Sequence, residues 1–406
     1  MRLLHTGDWH LGRTLEGRSR LPEQVAFIEE LTGIVEEEKI DAILIAGDIF
    51  DTVNPPAAAE ELFYHSLERL SAGGRRPIVV IAGNHDHPDR LAAAAPLTTK
   101  QNIYLLGYPD IQGLSIMMPT WEYPLHVAPM PYPSEARLKK VLSESLDEEI
   151  LQQLYQEQVA YLWKEQATRL PSDGVHVAMG HLFVAGGEES DSERPIQIGG
   201  AYTVGASHLP SQVEYVALGH LHRPQQLHQA PVLTRYSGSP LAYSFSEAAY
   251  AKSVTIVNLE PQQAATWQEI HLTSGKPLVR WQAKEGLQQV QQWLEEKKDR
   301  NAWVDLEIHL QSPLTLQEIH QLRQGHEGLI HIRPIFPEQE QLAGKERRAN
   351  LPIEELFRRY YVRQTGGVPD DALIQLFLSL VHEEAEASSG EAPEHDQPWN
   401  SGKEGE

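Results

Sequence analysis

The chain has 406 residues, 41% hydrophobic and 22% charged, with no cysteine and a formal net charge of −23. That length allows a large catalytic domain plus one or two smaller modules, and the absence of cysteine removes disulfides and thiolate metal sites. No run of about eighteen apolar residues offers to span a membrane. Met1–His5 meets polar residues too early for a signal peptide, so a reducing cytoplasm is the expected location. The acidic excess runs against an autonomous grip on nucleic acid, which normally comes from Lys and Arg on phosphates. Part of it lies in the tail: Glu383–Glu406 hold eight Asp/Glu and one Lys, a net of −7, leaving −16 elsewhere. The charge argues against tight unaided binding to nucleic acid.

Along the first half, Arg2–His5, Ala42–Ile45, Pro77–Ile81, Val175–Met179 and Tyr215–Leu218 are short apolar runs that end in polar and glycine residues. Such runs predict buried strands of an α/β sheet. Leu21–Lys39 carries Val25, Ile28, Leu31, Ile34 and Val35 on one helical face, and Ala57–Leu70 follows a Pro55-Pro56 start signal, so both are expected helices. Beyond about Pro261 the pattern changes to a small α+β module. There Pro277–Trp281, Ala302–Leu310 and Leu329–Ile335 are expected strands, and Gly286–Lys298 and Thr315–Arg323 helices. From Leu351, a stripe of Leu356, Phe357, Tyr360 and Tyr361 and then the apolar run Ala372–Val381 predict two terminal helices, docked on the core or awaiting a partner. The Glu-, Ser-, Gly- and Pro-rich tail is expected to be disordered. The resulting division is 1–260 catalytic, 261–342 cap, 343–382 terminal helices and 383–406 tail.

Five short motifs carry the chemistry: Gly7-Asp8-Trp9-His10, Gly47-Asp48, Gly83-Asn84-His85-Asp86, Gly180-His181 and Gly219-His220-Leu221-His222. Four directly follow an expected strand, and residues ending separate strands converge in the crevice beyond the strands' carboxyl ends. Imidazole, carboxylate and amide oxygen are the donors that hard and borderline divalent ions select. Asp8 and His10, like His220 and His222, stand two apart, a spacing that lets both members of a pair face one ion. Taken singly, a Gly-Asp after a strand is an ordinary turn and a His-x-His a weak signal. Their joint occurrence in this order is what points to a metal centre.

These motifs resemble those of the calcineurin-like metallophosphoesterases, with every ligand position filled. The resemblance implies an α/β, four-layer fold: a two-layer β-sandwich flanked by helices, holding two Mn²⁺-type ions. Asp8, His10, Asp48 and His222 would bind the first ion. Asp48 would bridge to the second, completed by Asn84, His181 and His220. His85 would act on the scissile phosphate, and Asp86 would either orient that imidazole or serve a turn. Trp9, between two ligands, is expected to pack and fix their geometry.

A narrower resemblance lies in Thr6–Gly12, Ala46–Asp51, Ala82–Asp86, Ser192-Glu193-Arg194-Pro195, Gly199-Gly200 and Tyr236–Pro240. These stretches are similar to the SbcD family of nuclease subunits. That similarity implies a Mn²⁺-dependent 3′–5′ exonuclease on double-stranded DNA ends that also opens hairpins. It implies a cap that helps hold DNA and terminal helices that dock on an SbcC-type ATPase, with a homodimer inside a heterotetramer. Two other readings stay open: another two-metal phosphoesterase acting on nucleotides or phosphoproteins, or a scaffold without activity. Of the remaining residues, His5, His65, His126, His176, His208 and His228 are expected to be surface or core histidines. His87 adjoins the third motif, and Arg13, Arg18 and Arg20 form a basic loop that meets either DNA or solvent.

Overall fold

The computed structural model describes residues 1–144, 155–193, 202–336, 353–365, 369–371 and 373–379. In chain order the main strands are β1 (Arg2–Thr6), β2 (Ala42–Ile45), β3 (Ile78–Ile81), β4 (Ile103–Leu106), β5 (Leu114–Ile116) and β6 (Leu125–Met130). Next come β7 (Val175–His181), β8 (Tyr215–Gly219), β9 (Gln225–Gln226), β10 (Thr234–Tyr236), β11 (Ser253–Asn258) and β12 (Thr266–His271). The last three are β13 (Leu278–Ala283), β14 (Trp303–His309) and β15 (Leu329–Ile335). The helices used below are α1 (Leu21–Glu37), α2 (Ala57–Leu70), α3 (Glu135–Glu144), α4 (Tyr155–Arg169), α5 (Leu287–Glu295), α6 (Leu316–Gly325) and α7 (Ile353–Thr365).

The chain divides into two units, Met1–Val279 with Asn301–Trp303, and Arg280–Arg300 with Val304–Glu406. In the first, two six-stranded sheets run β12-β11-β1-β2-β3-β4 and β9-β10-β8-β7-β6-β5. The centre of each is parallel, β1 through β4 in one and β6, β7, β8 and β10 in the other, and antiparallel strands form the rims. Alternation along each strand divides the apolar residues between two faces. Leu3, Leu44 and Val79 meet Val127, Val177 and Ala217 of the other sheet. Leu4, Ile43 and Val80 point the other way, against Phe27 and Leu31 of α1 and Phe63 and Leu67 of α2. On the far side, Val159, Leu162 and Trp163 of α4 cover Ala128, Ala178, Val216 and Leu218. Being buried on both faces is why the central strands read as unbroken apolar runs. The expected helix–sheet–sheet–helix layering is therefore the observed one.

The change of pattern near Pro261 is a turn rather than a unit boundary. β12 lies beyond it yet pairs along its whole length with β11, from Ser253↔His271 to Asn258↔Thr266, so the first unit continues to Val279. Several of its elements left no clear signal. β12 shows mostly exposed faces, and α4 buries two polar residues, Gln158 and Gln166, beside Val159, Leu162 and Trp163, which blurs its apolar stripe.

The second unit contains the sheet β13-β14-β15, entered by β13, with α5 and α6 as its helices. Trp281 organises it, edge-on to Trp293 at 5.3 Å and to His326 at 5.4 Å, while its Nε1 donates to Asp299. Thr315 and Glu318 form a reciprocal capping box at the start of α6. α7 and the helical residues 373–379 correspond to the two expected terminal helices, and Phe357 stacks on Phe377 at 4.0 Å. The expected disordered tail lies outside the described residues. No helix among the described residues is long and apolar enough to cross a membrane.

Trp163 is 1% exposed, with its Nε1 donating to the Ala128 carbonyl at 3.3 Å. Trp163→Ala is expected to cost about 3–5 kcal/mol, measured as a lower midpoint in urea unfolding of the full chain. A loss below about 1 kcal/mol would mean that α4 does not close the second sheet.

Candidate metal centre

The motifs end neighbouring strands of both sheets, so their side chains meet at one edge of the sandwich. The first two loops run side by side: Asp8 N–H donates to the Gly47 carbonyl at 2.9 Å and His10 N–H to the Asp48 carbonyl at 3.0 Å. Trp9 faces the opposite way, fully buried against Phe27 at 5.5 Å, with its Nε1 donating to Thr6 at 3.0 Å. It anchors the loop so that Asp8 and His10 project together. Tyr243 adds a second tie through a hydroxyl bond to the Trp9 carbonyl.

Two groups of donor atoms result, Asp8–His10–His222 and Asp48–His181–His220, each drawn within 4.8 Å. Asp48 also reaches across both: its Oδ2 lies 3.6 Å from His10 Nε2 and 3.4 Å from His181 Nε2. Asn84 Oδ1 lies 2.8 Å from His181 Nε2, beside the second group. A third set, His10, Asp51 and His85, adjoins them.

Several imidazoles are oriented from behind. His181 Nδ1 lies 2.9 Å from the Ala46 carbonyl and His222 Nδ1 2.6 Å from Ser192 Oγ. His10 Nδ1 stands 3.4 Å from Asp51 Oδ1. With a proton on Nδ1 of His10 and His222, their Nε2 lone pairs point inward. His10 Nε2 and His222 Nε2 then face each other at 3.1 Å, an arrangement that repels unless a cation or a proton lies between them. Asp8 Oδ2, Asn84 Nδ2 and His220 Nε2 are buried without a hydrogen-bond partner.

Electrostatics agree. Burial pushes His10 down to about 4 and holds His220 well below, and His222 below, the usual imidazole range, so these rings are neutral donors. Burial also opposes charge on His181, yet the Asp48 and Asp8 carboxylates overcome it and raise His181 to about 9. Without another cation, the proton on His181 balances those carboxylates. Burial raises Asp8 well above the ordinary carboxylate range. It opposes ionisation of Asp48 as well, but the surrounding imidazoles bring that group well below the range. Three neutral imidazoles, a fourth whose proton a cation would replace, two carboxyl groups and an unpartnered oxygen suit divalent cations.

Backbone strain marks the same residues. Asp8, His10, Asp48 and His220 have φ of 52°, 45°, 48° and 105°, in the region L-residues avoid. Gly83 is needed for close approach, because a Cβ there would lie 2.0 Å from Asp48 Oδ1 and 2.3 Å from its N.

His85 stands at the open side, edge-on to His10 at 4.8 Å. Its N–H donates to Asp48 Oδ1 at 2.9 Å and its Nδ1 lies 2.7 Å from the Asp51 carbonyl. Asp86 does not orient that ring. Its two oxygens accept from the N–H groups of Gly83, Ile49 and Phe50 at 2.8–3.1 Å, so it clamps the second and third loops together. The basic loop also turns inward in part. Arg20 is fully buried against Glu23, and Arg13 donates to Asp51 and to the Ser192 carbonyl. His5 is a core histidine, its Nδ1 2.8 Å from the Tyr215 hydroxyl. Asp51, Tyr243, Glu247 and Lys252 also belong to the site. Asp51 closes the SbcD-like stretch Ala46–Asp51, whereas Tyr243, Glu247 and Lys252 lie just past Tyr236–Pro240 and carry no signal of their own. Arg194, Pro195, Gly199 and Gly200 lie outside the described residues.

Comparison with known proteins accords with this geometry. The model of the calcineurin-like phosphoesterases matches residues 1–224, and the chain belongs to that family. A second model, described as the type 5 capsule protein repressor C-terminal domain, matches residues 274–365. The chain is 56% identical over 381 residues to the SbcD subunit of the nuclease SbcCD from Bacillus subtilis, covering 94% of this chain and 97% of that one. The corresponding SbcD subunits of Rhodobacter capsulatus and Staphylococcus epidermidis are 36% and 32% identical, each covering 70% of this chain and 72% of theirs. Within the phosphoesterases, the chain is a member of the SbcD family.

Gly83→Ala is expected to lower the divalent metal bound per chain relative to the parent, measured by elemental analysis after dialysis against Mn²⁺. Unchanged metal content with an unchanged melting temperature would show that the Asp48 carboxylate can move without affecting the site.

Proposed function

We propose that the chain is a two-metal DNA phosphodiesterase, preferring Mn²⁺, that degrades duplex ends 3′–5′ and opens hairpins together with an SbcC-type ATPase. The observation that carries this reading is the pair of donor groups sharing Asp48, with His85 beside them. Asp8, His10, Asp48 and His222 would hold one ion, and Asp48, Asn84, His181 and His220 the other. Ions bound there supply Lewis acidity to the phosphoryl oxygens and a water that ionises near neutral pH. The 56% identity over nearly the whole chain favours DNA over a small phosphoester.

The protein's own groups do the rest. Asp86 and the paired loops keep the donors in place before substrate arrives, which reduces the reorganisation left to the reaction. With Nδ1 donating to the Asp51 carbonyl, His85 exchanges its proton at Nε2. As an imidazolium it would stabilise charge on the scissile phosphate or protonate the departing 3′ oxygen. Asp51 links the two functions, its carboxylate facing His10 and its carbonyl His85.

The test is cleavage of an end-labelled duplex and a hairpin with Mn²⁺, Mg²⁺ or EDTA. Mn²⁺-dependent products are expected, and His85→Ala should slow cleavage by about 10²–10⁴-fold while retaining the parent's metal content by elemental analysis. Turnover of a generic phosphodiester with no cleavage of DNA, even with the ATPase and ATP, would overturn DNA as substrate. Metal loss in His85→Ala would overturn the role given to that residue.

The terminal helices are proposed as the dock for the ATPase, with α7 presenting exposed Ile353, Leu356 and Tyr360. Deleting residues 351–382 should abolish co-purification with an SbcC-type ATPase while sparing model phosphodiester hydrolysis. Loss of both would place those helices in the core of the enzyme.

A further inference from the structure

A buried hydrogen-bonded chain lies behind His222, made of residues distant in sequence. His222 Nδ1 is 2.6 Å from Ser192 Oγ, Ser192 Oγ bonds Glu247 Oε1, and Glu247 Oε2 pairs with Lys252 Nζ. All four side chains are less than 10% exposed. Lys252 Nζ also donates to the His222 carbonyl and to Ser239 Oγ, both at 2.9 Å. Glu193 Oε1 accepts the His222 N–H at 2.8 Å. His222 is thereby held at its amide, its carbonyl and its ring.

Counting protons fixes the direction of the chain. The Lys252 ammonium has three, and its three acceptors are Glu247, the His222 carbonyl and Ser239. Glu247, paired with that ammonium, is a carboxylate and only accepts. Ser192 has a single hydroxyl proton and two neighbours besides the ring, Glu247 and, at 3.0 Å, Ser190 Oγ. The charged acceptor takes it, since bonds to ionised acceptors are the stronger ones. Ser190's own proton goes to Glu193 Oε2 at 2.6 Å. The proton between Ser192 and His222 must therefore come from His222 Nδ1, which leaves the lone pair on Nε2, the atom facing His10 across the candidate metal centre.

We propose that Ser192, Glu247 and Lys252 form a positioning relay that sets the tautomer and angle of His222 and so tunes the affinity of the first metal position. This rests on His222 being a metal ligand, as proposed above. Supports of this kind behind a ligating imidazole, when removed, commonly weaken metal binding by about 10–100-fold. Glu247 Oε1 also lies 3.5 Å from His222 Nδ1, yet Glu247 and Lys252 act on the centre only through His222 and Ser192, which makes them positioning rather than catalytic residues.

The experiment uses the full chain in parent, Ser192→Ala, Ser192→Thr and His222→Ala forms. Imidazole nitrogen resonances of the metal-free protein report which nitrogen carries the proton, and His222→Ala assigns the His222 signals. Titration with Mn²⁺ alone then gives the affinity of each form. The parent should show His222 protonated at Nδ1. Ser192→Ala should lose that tautomer's dominance and bind Mn²⁺ about 10–100-fold more weakly at one position, and Ser192→Thr, which keeps a hydroxyl, should recover both. Should Ser192→Ala fail to fold, shown by loss of the cooperative melt, the parent tautomer and Ser192→Thr decide. Protonation at Nε2 in the parent, or a folded Ser192→Ala with unchanged tautomer and affinity, overturns the relay. Unchanged Mn²⁺ binding by His222→Ala would instead overturn the ligand assignment, and the tautomer result would stand apart from it.

Discussion

One buried carboxylate, Asp48, sets the terms for the rest of the site. It lies 2% exposed between two groups of nitrogen donors and belongs to both. Burying such a charge without compensation costs several kcal/mol. Partners are therefore required on every side, and the surroundings supply them: the His85 amide at one oxygen, imidazoles at the other, and room for cations. Four donor residues hold left-handed backbone conformations, each costing of order 1–3 kcal/mol. The strain is sustained because the loops are tied to one another by backbone hydrogen bonds, the Asp86 clamp and the buried Trp9. They in turn stand on two sheets whose central strands are covered on both faces.

That dependence explains which parts are legible in the sequence. The central strands announce themselves because burial on both faces demands unbroken apolar runs, and a site at their ends demands polar residues directly after. Asp8, His10, Asp48, Asn84, His181, His220 and His222 can thus be read as one constellation, and the structure brings them together. The rim strand β12 escapes recognition, since its half-exposed residues carry no strong alternation, and the boundary expected near Pro261 fails with it. Asp86 shows the limit at the site itself. A carboxylate next to His85 suggests a partner for that ring, but Asp86 is turned toward three backbone amides. The task of orienting His85 falls to the Asp51 carbonyl, a backbone atom that no side-chain pattern reveals.

Supporting groups are harder to read than donors for a general reason. A donor must be a particular chemical type at a strand end, whereas a support has only to reach a nitrogen from behind, and any acceptor suffices. Here the supports at Nδ1 are a backbone carbonyl for His181 and a serine hydroxyl for His222, while His10 has the Asp51 carboxylate 3.4 Å from its Nδ1 without a formed hydrogen bond. Glu247 and Lys252 approach from the segment between β10 and β11, and their ion pair ties this segment to the loop carrying His222.

The charge balance takes on a different meaning once these positions are known. Arg20, Arg235 and Lys252 are at most 8% exposed and are paired with Glu23, Glu269 and Glu247, so they are not available to meet phosphates. Part of the acidity is likewise internal, in Asp8, Asp48, Asp86, Glu193 and Glu247, all less than 9% exposed. The net −23 therefore misstates the centre itself, where bound dications would reverse the local sign toward an incoming phosphodiester. Along a duplex, however, the sequence-independent part of binding needs exposed cations spaced with the phosphates. With 34 Lys and Arg against 57 Asp and Glu, and three of those cations withdrawn into internal ion pairs, the chain keeps an acidic excess, and under the proposed function that term falls to the ATPase partner. Local attraction at the metal centre and long-range grip on DNA would then reside in different polypeptides, coupling cleavage to assembly.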